Sequence, residues 1–189
     1  MFDDACAVTE AKMDLSVANS AALVSTAVDR PHPSSQWVRA GIMLYGHNPV
    51  SQVQPPHPLQ SAMRLVAPII ALRTIKSGES VGYGSTWTAE RQSVIATVAI
   101  GYADGYPRHA ANGTPVVLHN QRAPLAGTVS MDMITVDVTG LMPTTEIKVG
   151  DIVELWGPNL PVAEVAHHAN TISYELLTGV TARVPRHLI

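Results

Sequence analysis

Tyr102 stands in the run Val98-Ala99-Ile100-Gly101-Tyr102-Ala103-Asp104-Gly105-Tyr106-Pro107. A phenol can take or give a proton, but free tyrosine has a pKa of about 10. Acting as a base at neutral pH therefore calls for a cationic environment. A strand-like run ends at Ile100. The small Gly101, Ala103 and Gly105 let the backbone turn sharply and leave the phenol exposed at the lip of a sheet. The plain alternative is a tyrosine in a tight glycine-rich turn. Two other positions carry chemistry of a different kind. Ser20, after Asn19, reads on its own as a helix N-cap. Arg39 lies inside a mostly apolar stretch, where an unpartnered charge is costly; the alternative is a surface arginine paired with a carboxylate.

Residues 2–12 read as a helix end and 14–17 as a short strand. Asn19-Ser20 form an N-cap pair for a helical run over 21–27. Residues 29–35 read as a loop, and 38–45 as a strand interrupted by Gly41. This strand–helix–strand order suits a parallel α/β segment. Pro49, Pro55, Pro56 and Pro58 then mark a boundary. Beyond it, strand-like runs cover 63–75, 93–100, 115–118, 125–129, 134–138 and 151–155. Turn signals at Lys76-Ser77-Gly78, Ala111-Asn112-Gly113, His119-Asn120 and Val149-Gly150 separate them. Such spacing predicts a mostly antiparallel small barrel or sandwich. Helices are expected over 162–169, with Pro161 near the start, and over 172–177, with Asn170-Thr171 as its cap. The expectation is an α/β barrel fragment over 1–60 and a β domain over 61–189. Two parallel strands need cover on both faces. Either another chain supplies it or an upstream half is absent, and the second is the reading favoured here.

The composition narrows the function. The chain has 189 residues, of which 46% are hydrophobic and 14% charged, enough apolar surface for a core. A net charge of -3 without a basic stripe argues against nucleic acid. No apolar run is long enough to span a membrane. The start lacks the basic n-region of a signal peptide. The lone Cys6 suits a reducing compartment, so a cytoplasmic protein is expected. The 8 histidines show no metal-ligand pairing, and no metal site is expected.

Four further segments accompany the Tyr102 run: Trp37-Val38-Arg39-Ala40-Gly41-Ile42-Met43-Leu44-Tyr45-Gly46; Gly127-Thr128-Val129-Ser130-Met131-Asp132-Met133; Thr171-Ile172-Ser173-Tyr174-Glu175; and Arg183-Val184-Pro185-Arg186. In order and approximate spacing the set resembles alanine racemases, from Asn19 onward. The resemblance implies a fold-type III enzyme, in which a TIM-like barrel holding pyridoxal 5'-phosphate precedes a C-terminal β domain. Residues 1–60 would be the last part of that barrel. Ser20, Gly41 and Ile42 would hold the cofactor phosphate, where such barrels bind it, with Tyr174 adding its hydroxyl. Arg39 is matched to the arginine facing the pyridine nitrogen. A guanidinium can only donate, which weakens the ring as an electron sink and limits side reactions such as transamination.

By the same resemblance, L- and D-alanine are interconverted by two bases on opposite faces of the substrate, a Schiff-base lysine and the tyrosine matched by Tyr102. That tyrosine comes from the partner of a head-to-tail homodimer. Met131 comes from the same side and contacts the substrate carboxylate through its backbone. Asp132 either orients the site or is a plain structural acid. D-alanine for peptidoglycan would be the product.

Two departures matter. The family's Lys-x-Asn-Ala-Tyr-Gly-His type stretch has no match, since the only lysines are Lys12, Lys76 and Lys148. The chain alone is therefore expected to be inactive. Thr128 stands where many relatives carry an arginine lining the entrance, which leaves fine specificity open. Other readings are a racemase of another amino acid or a non-catalytic β-barrel binding module. A decarboxylase of the same fold type ranks low, because those enzymes usually present a catalytic cysteine from the C-terminal domain and Cys6 lies outside it.

Overall fold

In the computed structural model, which describes residues 15–25, 36–50, 52–55, 57–142 and 144–188, the apolar run after the proline-rich stretch becomes the longest strand, β3 (Leu65–Ile75). Its first half alternates as a half-buried strand should: Leu65, Ala67 and Ile69 point inward, and Val66, Pro68 and Ile70 outward. The chain divides into two compact units, Met1–Gln60 and Ser61–Ile189.

The second unit is antiparallel throughout. β6 (Ser93–Val98) pairs with β3 from Ile69 to Ile75, and β10 (Ile152–Trp156) pairs with β3 from Leu65 to Pro68. β7 (Pro115–Leu118), β8 (Gln121–Pro124) and β9 (Ile134–Asp137) complete the order β8-β7-β10-β3-β6-β9. The two ends of that order meet: Leu125 bridges Val136, and the Ala126 N–H donates to the Thr135 carbonyl at 2.9 Å. The sheet closes on itself as a small barrel, which leaves its end strands paired rather than open. Leu118, Leu125, Ile134, Leu155, Trp156 and Leu160 fill the core. Two helices, α2 (Val162–His168) and α3 (Ser173–Gly179), add Val165, Ala166 and Leu176 to it. β7 is consequently buried on both faces.

Several expectations shift. The run at 125–129 is not a strand. The strand lies just before it, at β8, whose more polar residues hide it from a hydrophobicity pattern. A short hairpin of β4 (Ser80–Val81) and β5 (Trp87–Thr88) was not foreseen; two residues per strand give no period to read. The His119-Asn120 turn does join β7 to β8, both residues at positive φ (49° and 61°), as tight two-residue hairpins require. Asn170 is not part of the cap of α3. It takes the left-handed conformation (φ 50°) after α2, a usual place for asparagine. Thr171 instead hydrogen-bonds the Glu175 carboxylate.

In the first unit β1 (Leu15–Asn19) and β2 (Gln36–Arg39) run parallel, joined in register from Leu15↔Gln36 to Asn19↔Arg39. Between them lies the short α1 (Ser20–Val24). The strand expected over 38–45 stops at Arg39. After Gly41 the chain winds into a 3₁₀ turn, Ile42–Tyr45, ended by Gly46 in the left-handed region. The expected helix end at 2–12 and the loop at 29–35 lie outside the described residues.

Two carboxylates tie the barrel's periphery together. Asp151 accepts from His119 Nε2 at 2.9 Å and from the Lys148 N–H at 3.0 Å, which hold its carboxyl below the usual range. Glu164 of α2 is gripped in two places by Arg122 of β8, with the same effect. A carboxyl with a depressed folded-state pKa stabilises the fold above the unfolded value of about 4 and loses that contribution as pH falls below it. The melting temperature is therefore expected to hold from neutral pH to about 5 and to drop below about 4. In a thermal-melt series, a Asp151→Asn/Glu164→Gln variant should show a shallower acid decline. An equally steep one would refute the assignment.

Candidate active site

Tyr102 opens a one-turn 3₁₀ helix, Tyr102–Asp104, directly after β6, and its ring is 40% exposed. Two contacts fix the turn from outside. The Tyr102 N–H donates to the Ser130 carbonyl and the Ala103 N–H to the Met131 carbonyl, both at 3.0 Å. The backbones approach so closely that a Cβ on Gly101 would lie 2.3 Å from both of those carbonyl oxygens. On the other side Gly105, in the left-handed region (φ +101°), turns the chain against the end of α3. There the Thr181 N–H and hydroxyl donate to the carbonyls of Asp104 (3.1 Å) and Ala103 (2.9 Å). Within the turn, Asp104 accepts the Gly101 N–H at 2.9 Å. The smallness of Gly101 and Gly105 thus admits two neighbouring segments as much as it permits a turn.

Met131 is brought to the same lip. Its side chain is 52% exposed, its carbonyl is taken by Ala103, and its N–H has no partner among the described residues. Arg183, from the C-terminal segment, joins the two loops: its Nη2 donates to Asp132 at 2.6 Å, and its Nε lies 3.4 Å from Asp104. Hydrogen bonding to Asp132, and then the charge of Asp104, push the guanidinium pKa further up. Asp132 is thereby held beside Met131 as an anchor. Sequence reasoning saw Arg183 only as part of a motif and gave it no task. It also passed over Arg108, whose guanidinium carbon stands 5.9 Å from the centroid of the Tyr102 ring. A signal for Arg108 existed, since Gly105 folds the chain back within six residues of Tyr102.

In the first unit, Ser20, Gly41 and Ile42 come together. Asn19 alone caps α1, accepting the Ala22 N–H at 3.0 Å. That frees the buried Ser20 hydroxyl, whose oxygen receives the Gly41 N–H at 2.9 Å and the Met43 N–H at 3.3 Å. The Ile42 N–H has no partner among the described residues. The cluster holds donors and no carboxylate, a chemistry that fits a phosphate. Arg39 is exposed and donates through Nη1 to the Ser16 carbonyl (2.7 Å) and hydroxyl (2.9 Å), so its partner is a neighbouring strand rather than a carboxylate. Tyr174 lies in the first turn of α3, 47% exposed. Thr128 shares a hydroxyl–hydroxyl bond of 2.9 Å with Thr86. No group of three or more possible metal ligands occurs among the described residues, and no described helix is long and apolar enough to cross a membrane.

Known proteins place these features in a family. An alanine racemase of Stutzerimonas stutzeri is 51% identical over 92% of this chain and 47% of its own length. The biosynthetic alanine racemase of Pseudomonas aeruginosa is 53% identical over 90% of this chain and 46% of its own. Among solved structures, the biosynthetic Pseudomonas aeruginosa enzyme superposes with a TM-score of 0.80 at 51% identity, covering 91% of this chain and 46% of that one. An alanine racemase of Bartonella henselae with covalently bound pyridoxal phosphate gives 0.85 at 35% identity, covering 100% and 50%. The chain spans about half the length of the curated relatives it matches. Residues 62–188 match the family model for the alanine racemase C-terminal domain, and the chain belongs to that family.

Proposed function

We propose that this chain supplies the tyrosine-bearing part of a pyridoxal-phosphate-dependent racemase that interconverts L- and D-alanine. The observation that carries the reading is the pairing of Tyr102 with Met131 on one exposed lip, each loop bonded to the other through its backbone. When bound, the cofactor would supply the electron-withdrawing system that makes the substrate α-hydrogen acidic. Ser20, Gly41, Ile42 and Tyr174 would hold its phosphate, and Arg39 its ring nitrogen.

The phenol oxygen of Tyr102 takes the α-proton from one enantiomer, and in the reverse direction the protonated phenol returns one to the same face. The open Met131 N–H binds the substrate carboxylate. Proton transfer on the other face falls to a lysine that these 189 residues do not provide. In the assembled enzyme Tyr102 reaches a site on the partner subunit of a head-to-tail homodimer. We place that enzyme in the cytoplasm, with D-alanine for peptidoglycan as its product.

The test is complementation. The purified chain with L-alanine and pyridoxal phosphate is expected to yield no D-alanine. Co-expression with the half of the Pseudomonas aeruginosa enzyme that this chain does not match should restore turnover. Turnover by the chain alone would refute the need for a second half. Failure of a folded, cofactor-loaded complex to racemise alanine would refute the activity, and running the same assay over a panel of amino acids would identify a different substrate.

A further inference from the structure

The Tyr102 ring has a cation against it that no other interaction claims. Arg108 is exposed, and among the described residues it has neither an ion-pair nor a hydrogen-bond partner; its one contact of that kind is the ring, 5.9 Å from guanidinium carbon to centroid. The other arginine near this turn, Arg183, is committed to Asp132 and Asp104. Nor is Arg108 a loose tether. Before it, Tyr106 is buried and stacked on Trp156, with centroids 6.2 Å apart and planes 12° from parallel. After it, the Ala110 N–H closes on the Pro107 carbonyl at 3.1 Å. Arg108 also lines a cleft of about 410 Å³ with Thr86, His109, Asn112 and Thr128. Its walls are fixed by Asn112, which donates to the Thr86 carbonyl at 2.8 Å and accepts the Gly127 N–H at 2.7 Å. Arg108 thus lines a braced cleft, and its guanidinium lies at the outer limit of cation–π range from the ring.

Resting on the reading of Tyr102 as a base, we infer that Arg108 is a positioning residue: it holds the Tyr102 ring in its reactive orientation and keeps a positive charge beside the phenol while that group carries its negative charge. A preset charge costs no rearrangement when the proton moves, and a ring held in place loses less to misalignment.

Arg108→Met and Arg108→Lys would be compared with the unchanged chain in the complemented enzyme, using L- and D-alanine with and without α-deuterium. Arg108→Met is expected to lower kcat roughly 10- to 100-fold with KM little changed. It should also raise the α-deuterium isotope effect only in the direction where Tyr102 removes the proton. Arg108→Lys should recover part of the loss. A merely structural role would leave no one-sided change in the isotope effect and would show no rescue. Tyr102→Phe, run in parallel, separates the two readings: if it keeps full activity, the base assignment fails. If it abolishes activity while Arg108→Met leaves the one-sided isotope effect unchanged, this inference alone fails. A second readout needs no cofactor. In the chain by itself, the Arg108 Nε–H proton resonance should be displaced by the ring and should move on Tyr102→Leu substitution; no movement would overturn the proposed contact.

Discussion

Tyr102→Phe in the complemented enzyme is expected to lower kcat by about 10³-fold, within the range that one positioned acid–base group supplies. Turnover should fall in both directions, because the phenol is the base in one and the proton donor in the other. Only where it removes the α-proton should the α-deuterium isotope effect change. The fold should not notice. The Tyr102 ring is 40% exposed, its hydroxyl has no partner among the described residues, and the turn that carries it is held by backbone bonds to Ser130 and Met131. Unchanged circular dichroism and urea midpoint alongside the lost turnover would complete the result. Comparable activity in the two proteins would remove Tyr102 from the mechanism.

Gly101→Ala attacks the same site through the backbone. The new methyl would lie 2.3 Å from the Ser130 and Met131 carbonyl oxygens, far inside contact distance, and neither oxygen sits on a flexible side chain. The loops must separate, with the Tyr102 and Met131 groups moving apart. Overpacking of this kind costs about 2–3 kcal/mol, read as a lowered urea midpoint. An ångström of misplacement costs roughly 100-fold in kcat/KM. Gly140→Ala is the control, since a Cβ there meets nothing within 4 Å. If Gly101→Ala matched Gly140→Ala in both measurements, the close approach of the two loops would be wrong.

Much of the barrel was legible because its strands are apolar runs bounded by turn residues: 115–118 is Pro115–Leu118 to the residue, and 134–138 and 151–155 fall within a residue of β9 and β10. What escaped notice was decided by contacts beyond a local window. Arg122 and Pro124 look unlike strand residues, yet β8 pairs along β7, with Arg122 turned out to meet Glu164. Residues 38–45 look like one strand, yet Gly41 lets the chain leave the sheet and bring its N–H to Ser20. In the site, the small residues around Tyr102 signalled an exposed turn. That Met131 belongs beside that turn followed only from the family resemblance, because it arrives through the antiparallel pairing of β6 with β9, which no local window shows. The task of Arg183 was equally hidden, since it depends on two acids that come together only in the closed barrel.

The strand order has a consequence for how the molecule is made. β3 leaves the ribosome first among the six, yet one of its two neighbours is β10, with Pro68 matched to Ile152. At about 5–20 residues per second, the strip of Leu65, Ala67 and Ile69 waits roughly 5–15 seconds for that neighbour. Pairings so distant along the chain put folding in the millisecond-to-second regime. The nascent polypeptide therefore carries an unshielded greasy strip until β10 emerges, and it is exposed to misassociation for that interval.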